Sequence, residues 1–288
     1  MEKVIAPTPI AILMATYNGE KYLKEQLDSI ISQTDGSWSL YIHDDGSTDK
    51  TCEILLEYTR KYSNIHVLEY ESQKGAMSNF LSLLFLIHAD YYMFSDQDDV
   101  WMKDKIELSI SAMKKLEAQS PEAPIVICTD LHVTDHTLAI TSSSYWKHAG
   151  IYPQLIKTFN QCAASSIATG CTMLFNKKAL LSTQYPYEHA TMHDAWVTMC
   201  TMKSNGIVYA IDKQLVLYRQ HMNNSLGATD VSVSQFSLVY RVRNFKRMYR
   251  QNKTHYLMLK SLGYGSVIKY IYYKIVYKLK IHLKTTNN

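Results

Sequence analysis

Apolar residues come in short runs along the first half of the chain, and a polar cluster closes each run. Ile10–Ala15 reads as a buried strand that ends in the turn Thr16-Tyr17-Asn18-Gly19. From Glu20 to Gln33 the positions Tyr22, Leu23, Leu27, Ile30 and Ile31 follow helical spacing. Leu40–Ile42 predicts a second strand, closed by His43-Asp44-Asp45-Gly46-Ser47-Thr48-Asp49. A helix follows from about Asp49 to Tyr62, with Thr48 or Asp49 as cap. Ile65–Leu68 predicts a third strand, and Lys74-Gly75 opens a helix with apolar positions at Phe80, Leu83, Leu84 and Ile87. Tyr91–Phe94 predicts a fourth strand, which runs into Ser95-Asp96-Gln97-Asp98-Asp99-Val100-Trp101 and then a helix from about Lys103 to Ala118. The order β-α-β-α-β-α-β predicts a mostly parallel sheet with helices on its faces. Parallel strands end on one edge, so the three polar clusters should converge on one crevice.

After Pro121 and Pro124 the pattern changes. Ile125–Cys128 and Leu131–Val133 are strand-like, Ser142–Gly150 reads as loop, Ile151–Phe159 as helix and Thr169–Phe175 as strand. Met192-His193-Asp194-Ala195-Trp196 begins a helix that continues to Met202, and Leu215–Leu217 predicts a last strand leading to Tyr218-Arg219-Gln220-His221. No linker-like run separates the halves, so this region reads as the mixed-sheet second half of one domain.

Composition bounds the reading. The 288 residues are 47% hydrophobic, ample for a core. Five cysteines (Cys52, Cys128, Cys162, Cys171, Cys200) lack any zinc or CxxC spacing, which predicts reduced thiols in a cytoplasmic protein. The sequence predicts neither a signal peptide nor a membrane-spanning helix. Residues 1–230 hold 18 of the 30 Lys+Arg and all 26 Asp+Glu, a net −8, while residues 231–288 hold the other 12 basic residues and no acid. A catalytic domain over 1–230, with halves at about 8–120 and 121–230, followed by a basic helical extension over 231–288, fits this split.

The crowded carboxylates carry the candidate chemistry. Asp96 and Asp98 stand two apart, so extended backbone projects them to one side. Such groups repel unless they are solvated or share a cation, and hard oxygen ligands suit Mg2+ or Mn2+, which also bind phosphates. The same run also reads as an acidic turn capping the next helix through Asp99 or Asp104. Asp194 sits in a first helical turn, where the dipole favours a carboxylate, and by itself reads as an ordinary cap before it reads as catalytic. His221 by itself reads as an ordinary histidine. Neither GxGxxG after the first strand nor GxxxxGKS or GxxxxGKT occurs. Glycine-loop phosphate binding is therefore excluded, and a metal on the carboxylates would have to do that work.

Ala15-Thr16-Tyr17-Asn18-Gly19, Asp44–Asp49, Ser95–Trp101, Gly170-Cys171, His193–Trp196 and Tyr218–His221, in this order, resemble the inverting nucleotide-sugar glycosyltransferases of family 2, which have the GT-A fold. The resemblance spans about residues 8–225. Asp-Gln-Asp-Asp-Val-Trp and His-Asp-Ala-Trp are most similar to rhamnosyltransferase-like members that build bacterial surface polysaccharides. The resemblance implies an α/β GT-A fold, Rossmann-like, with a mostly parallel mixed sheet flanked by helices. It implies that Thr16, Tyr17 and Asn18 contact the nucleotide, that Asp45 bonds the base, and that Asp96 lies near the ribose or donor sugar. Trp101 closes the same motif and goes with the donor site. Asp98 would hold the divalent metal, Mg2+ or Mn2+, with His221 as a further ligand or diphosphate contact, and Asp194 matches the general base. Many relatives carry an Arg after Gly75, absent here, so Lys74 or Asn79 would substitute. The implied donor is a UDP- or dTDP-sugar, dTDP-rhamnose included, and the acceptor a hydroxyl of a saccharide or lipid-linked saccharide. A nucleotide-sugar hydrolase, or a degenerate transferase acting as a membrane-docked assembly partner, is the competing reading.

Residues from about 264 to 284 predict an amphipathic helix. Ile268, Ile271, Tyr272, Ile275, Val276, Leu279 and Leu283 form one stripe, and Lys269, Lys274, Lys278, Lys280 and Lys284 lie opposite with Tyr270, Tyr273 and Tyr277. This predicts a peripheral protein on the inner face of the cell membrane, docked on anionic lipid. The competing partners of the stripe are the catalytic domain itself or a second subunit in a homodimer. Nucleic acid is not expected, because the lysines alternate with aliphatic residues.

Overall fold

A computed structural model describes residues 8–70, 74–183, 189–221 and 238–286. Gln73, the 230/231 domain boundary and the residues from 222 to 225 at the end of the resemblance lie outside the described residues. Strand β1 (Thr8–Thr16) leads to helix α1 (Leu23–Ile31), β2 (Trp38–Asp44) to α2 (Thr51–Lys61), and β3 (Ile65–Val67) to α3 (Ala76–Leu86). Strand β4 (Ala89–Ser95) leads through the short β5 (Val100–Trp101) to α4 (Lys105–Gln119). The second half contains β6 (Ile125–Thr134), β7 (Ile140–Ser142), α5 (Tyr145–His148), α6 (Phe159–Ala164), β8 (Leu174–Asn176), α7 (Lys177–Ser182), α8 (His193–Lys203) and β9 (Ile207–Arg219). Helices α9 (Leu238–Ser261) and α10 (Val267–Thr286) follow.

Among the described residues one sheet runs β3-β2-β1-β4-β8-β6-β9-β5, with β7 beside β6. Strands β3, β2, β1 and β4 are mutually parallel, β8 is antiparallel to both β4 and β6, and β9 is parallel to β6. The expected α/β architecture, a mostly parallel mixed sheet with helices on its faces and C-terminal helices, is therefore present. Alternation along β1 explains the two-sided core. Ile10, Ile12 and Met14 join α1, α2 and α4 on one face, while Ala11 and Leu13 join α3 and α8 on the other.

Departures from the expected elements have local causes. Strand β6 is one strand across both strand-like runs, with an irregularity at Asp130. The Asp130 carboxylate accepts from the Leu131 and Trp146 amides, the Ser144 hydroxyl and the Gln214 amide. Ser144 also accepts from the Lys147 amide, so a capped turn of helix, α5, replaces the expected loop. The expected helix over Ile151–Phe159 is a 3-10 turn at Pro153–Leu155, and α6 begins only after the Thr158 cap. The expected strand over Thr169–Phe175 is a 3-10 turn at Gly170–Thr172 followed by β8. Strand β9 extends well before Leu215: the apolar run Ile207–Ile211 is itself a strand signal and pairs parallel with β6, and the polar Asp212–Gln214 only interrupt the pattern between the two apolar runs.

Lys105 is fully buried, with Nζ 3.5 Å from the centroid of the Trp101 ring and no hydrogen-bond partner. Burial pushes its ammonium down to about 7. The unfolded chain keeps that proton to about pH 10, so between roughly pH 7 and 10 the unfolded state binds more protons and stability rises with pH. Replacing Lys105 with Met should flatten the rise of Tm over that window. Thermal melts across the window check this, and an unchanged slope in Lys105→Met would assign the pH dependence to another group.

Candidate active site

The strand order puts β1 between β2 and β4, so their carboxyl ends meet as the pattern predicted. Thr16, at the end of β1, is buried and donates to Asp44 Oδ1 at 2.8 Å. Asp44 also accepts from the Ser47 amide at 2.8 Å and its hydroxyl at 2.6 Å. Burial alone would raise Asp44, but the bonds from Ser47 and Thr16 outweigh it and hold the carboxyl below the usual range. Asp44 is thereby used in shaping the loop. Asp45, its neighbour, accepts from the Gly75 amide at 2.8 Å, which brings the Lys74-Gly75 turn to the same rim. Gly75 has φ 111°, a region that disfavours any side chain. Lys74 is exposed at this rim, whereas Asn79 is buried on α3.

The 16–19 turn is stitched to both neighbours. Gln97 clamps the Tyr17 backbone, accepting from its amide at 3.0 Å and donating to its carbonyl at 2.9 Å. Asn18, at φ 46°, accepts from the Thr48 amide at 2.9 Å and donates its own amide to Ser47 Oγ at 2.8 Å. Tyr17 stands out at the mouth, 55% exposed.

Beyond β4 the acidic residues part company. Asp98 Oδ2 lies 2.8 Å from His221 Nε2, both half-buried, and the His221 ring stands 4.8 Å from that of Tyr22. Burial, then the charges of Asp98 and Asp194, push Asp96 up to about 7. Asp99 turns inward, fully buried, and Oδ1 accepts from the Arg219 amide at 3.1 Å. Burial, then Asp98 and Asp96, push its pKa well up. Asp96, Asp99 and Cys171 also bring one ligand atom each within 4.8 Å of one another. Asp99 and Cys171 are buried beneath the crevice, and a thiol is a soft ligand that hard Mg2+ or Mn2+ does not favour. The oxygen-plus-imidazole pair Asp98/His221, beside an Asp96 whose pKa is raised by burial and by the charges of Asp98 and Asp194, fits such a cation better.

Asp194, in the first turn of α8, reaches the same crevice from across the sheet. Its Oδ2 accepts from the Gly170 amide at 3.0 Å and its Oδ1 from the Ala195 amide at 2.6 Å. Behind it His193 is buried, stacked 4.2 Å from Phe80 and edge-on 4.5 Å from Phe94, and burial keeps its ring neutral by pulling its pKa down. A Cβ on Gly170 would meet His193 Nε2 at 2.7 Å, and the two phenyl rings leave that ring nowhere to go. Gly170 therefore permits the close approach that orients Asp194.

Trp101 is placed differently from the donor contact expected of it. At 2% exposed it lies in the core, and its amide donates to Ser29 Oγ at 3.0 Å, so the ring supports the loop from below. Sequence reasoning also missed two supports. The first is a buried polar stripe on and just after α1. Gln26 lies 2.7 Å from Ser95 Oγ, Ser29 holds the Trp101 amide, and Gln33 bonds the Met102 carbonyl and the Ile106 amide. Its signal is the spacing 26, 29, 33 beside the apolar Leu23, Leu27 and Ile30.

The second is Arg219, 2% exposed. Its Nε donates to the Asp98 carbonyl at 2.8 Å and Nη1 to the His136 carbonyl at 2.9 Å, while Nη2 pairs with Glu25 and the fork lies over the Tyr22 ring. A lysine has no such fork. Arg219→Lys should lower stability by about 3 kcal/mol, the scale of a broken buried charge network. Chemical denaturation checks this, and a midpoint equal to the wild type would remove Arg219 from its clamping role.

Comparison with known proteins follows this geometry. The family described as Glycosyl transferase family 2 matches residues 11–182. The chain is 31% identical over 257 residues to the dTDP-rhamnosyl transferase RfbG of Shigella flexneri, covering 84% of this chain and 82% of that protein. It is 33% identical over 222 residues to the putative teichuronic acid biosynthesis glycosyltransferase TuaG of Bacillus subtilis, covering 76% and 81%. Among solved structures, S. aureus TarS 1-349 in complex with UDP-GlcNAc superposes with TM-score 0.57 at 19% identity, over 79% of this chain and 63% of that one. The mannosyltransferase PcManGT from Pyrobaculum calidifontis, in complex with GDP-Man and Mn2+, does so with TM-score 0.55 at 14% identity, over 98% and 84%. These two likenesses show the GT-A fold. The match across most of the sheet and its carboxylate-bearing strand ends shows that the chain belongs to glycosyltransferase family 2.

Proposed function

We propose that the protein transfers a sugar, with inversion, from a nucleoside-diphosphate sugar to a hydroxyl of a saccharide or lipid-linked saccharide acceptor during surface polysaccharide synthesis. One observation supports this reading: β2 and β4 flank β1 and carry Asp45 and Asp98 at their carboxyl ends, His221 pairs with Asp98, and Asp98 and Asp194 both act on Asp96, so four separate parts of the chain gather at one sheet edge. The names of RfbG and TuaG support a polysaccharide role, and RfbG supports dTDP-rhamnose as the first donor to test. The nucleotide sugars bound by TarS and PcManGT, and the Mn2+ of the latter, support a metal-assisted sugar donor.

In this reading Asp45 and the Lys74-Gly75 turn receive the base, and the 16–18 turn lies against the nucleotide. Asp98 and His221 would hold Mg2+ or Mn2+, which supplies positive charge to the diphosphate. Asp194 takes the proton of the acceptor hydroxyl as its oxygen bonds to the anomeric carbon. The bond from that carbon to the phosphate oxygen breaks, and the nucleoside diphosphate leaves with the electron pair. A single displacement inverts the centre and needs no covalent enzyme intermediate. The Gly170 and Ala195 amides fix the direction in which the Asp194 oxygens face.

Asp98→Asn should abolish transfer and remove the rise in Tm that dTDP or UDP with Mn2+ gives the wild type. Full activity in this variant, or wild-type activity untouched by EDTA, would remove Asp98 from metal binding. Asp194→Asn should leave donor Kd nearly unchanged and lower kcat by about 10²-fold or more, the scale of a general base. Gly170→Ala should lower kcat by a comparable factor while Asp194 remains chemically intact, since a displacement of about 1 Å can cost that much. Steady-state kinetics with donor titration check both; weakened donor binding with kcat preserved would make Asp194 a binding residue.

A further inference from the structure

Helix α10 presents two faces, and the catalytic domain takes the tyrosine face. Tyr270 and Tyr277 are buried in the core cluster shared with α3 and α8, and Tyr277 Oη accepts from the Tyr152 amide at 3.0 Å. Lys274 bonds Asn252 on α9, and Tyr270 packs near His255, Tyr256 and Tyr264. The aliphatic stripe is left outside: Ile268 is 77% exposed, and Ile271, Tyr272, Ile275, Leu279 and Leu283 are all at least half exposed. At 100° per residue these six fall within about a third of the helix circumference. Exposed Lys269 and Lys280 flank one side of the stripe and exposed Lys278 the other.

We propose that this outer face of α10 docks on an anionic lipid surface. An apolar stripe bordered by lysines on a helix lying flat is the pattern that inserts at the headgroup level. No helix among the described residues is long and apolar enough to cross a membrane. Charge selects the partner. Residues 231–288 carry 12 Lys and Arg and no Asp or Glu. A two-fold dimer through this face would set two such cationic surfaces against each other, because a two-fold interface apposes the same patch on both copies. Anionic lipid instead offers hydrocarbon to the stripe and opposite charge to its borders. The docked helix is not a loose tether. It packs on α6, and α6 packs on α8, whose first turn carries Asp194. Docking would therefore set the half that carries Asp194 at the membrane, where, on the transfer reading proposed above, a lipid-linked saccharide acceptor would be met.

The test uses the full chain and vesicles of phosphatidylglycerol and phosphatidylcholine in equal parts, against phosphatidylcholine alone. The wild type should co-sediment with the anionic vesicles at least about tenfold more strongly. Ile275→Asp with Leu279→Asp should lose at least about tenfold of that binding, and Lys269→Gln with Lys280→Gln about fivefold or more, given the usual contribution per lysine. Melting temperature reports on folding, and Ile268→Asp, at the most exposed position, replaces the double variant if that one melts early. Equal pelleting of the wild type and the aspartate variants, or equal binding to both vesicle types, overturns the proposal. So does a wild-type dimer that the aspartate variants dissociate in sedimentation velocity, which would assign the stripe to a second copy. Vesicle binding is read without turnover, so it stands or falls separately from the transfer reaction.

Discussion

Parallel strands deliver their carboxyl ends to one edge, and this chain ends two adjacent to β1, namely β2 and β4, in aspartates. The resulting repulsion is the constraint that the rest of the site answers. Each carboxylate is relieved by a different means. Asp44 is satisfied by hydroxyl and amide donors, Asp99 is buried with its pKa pushed well up and accepts from the Arg219 amide, and Asp98 meets His221. Asp96 remains under strain of this kind: burial, then the charges of Asp98 and Asp194, raise its pKa. A divalent cation on the Asp98 side of the crevice would relieve it directly.

Charge relief depends on a rigid support. The loop that bears Asp96 to Asp99 is held from below by the polar stripe of Gln26, Ser29 and Gln33 and by the buried Trp101–Lys105 contact. From the far end of the sheet, Arg219 ties the Asp98 carbonyl to the 136 turn, and His221 follows two residues later. Across the crevice the His193 ring, fixed between Phe80 and Phe94, leaves room for Gly170 alone, and the Gly170 amide then orients Asp194. Binding and base groups are thus positioned by packing laid down on both faces of the sheet.

The same economy of buried contact organises the C-terminal helices. Met258, Leu259, Leu262 and Tyr264 continue the core cluster of α3 and α8, so the basic region is built onto the catalytic half and shares its core. Tyrosines suit this seam, since each buries a ring and still needs a partner for its hydroxyl. Tyr277 finds it in the Tyr152 amide and Tyr270 in Asn252.

Local periodicity was enough to read the parallel half of the sheet, the crevice at its edge and the basic tail from sequence, because strands and helices there alternate apolar runs with polar closures. Where pairing partners lie far away, as for the polar Asp212–Gln214 of β9, or where a single proline or cap redirects the chain, as at Pro153 and Ser144, the local pattern misled. Sequence also named the aspartates but could not sort them. Asp44-Asp45 and Asp98-Asp99 are chemically identical neighbours, and only distant contacts separate the structural member from the one that faces the crevice: Ser47 and Thr16 against Gly75, Arg219 against His221. A helical wheel likewise drew two faces on α10 without saying which turns inward. That was decided by shape and hydrogen bonding at residues 152 and 252, 18 positions away along the chain in the nearest case, because burial belongs to the assembled surface and not to the segment that presents it.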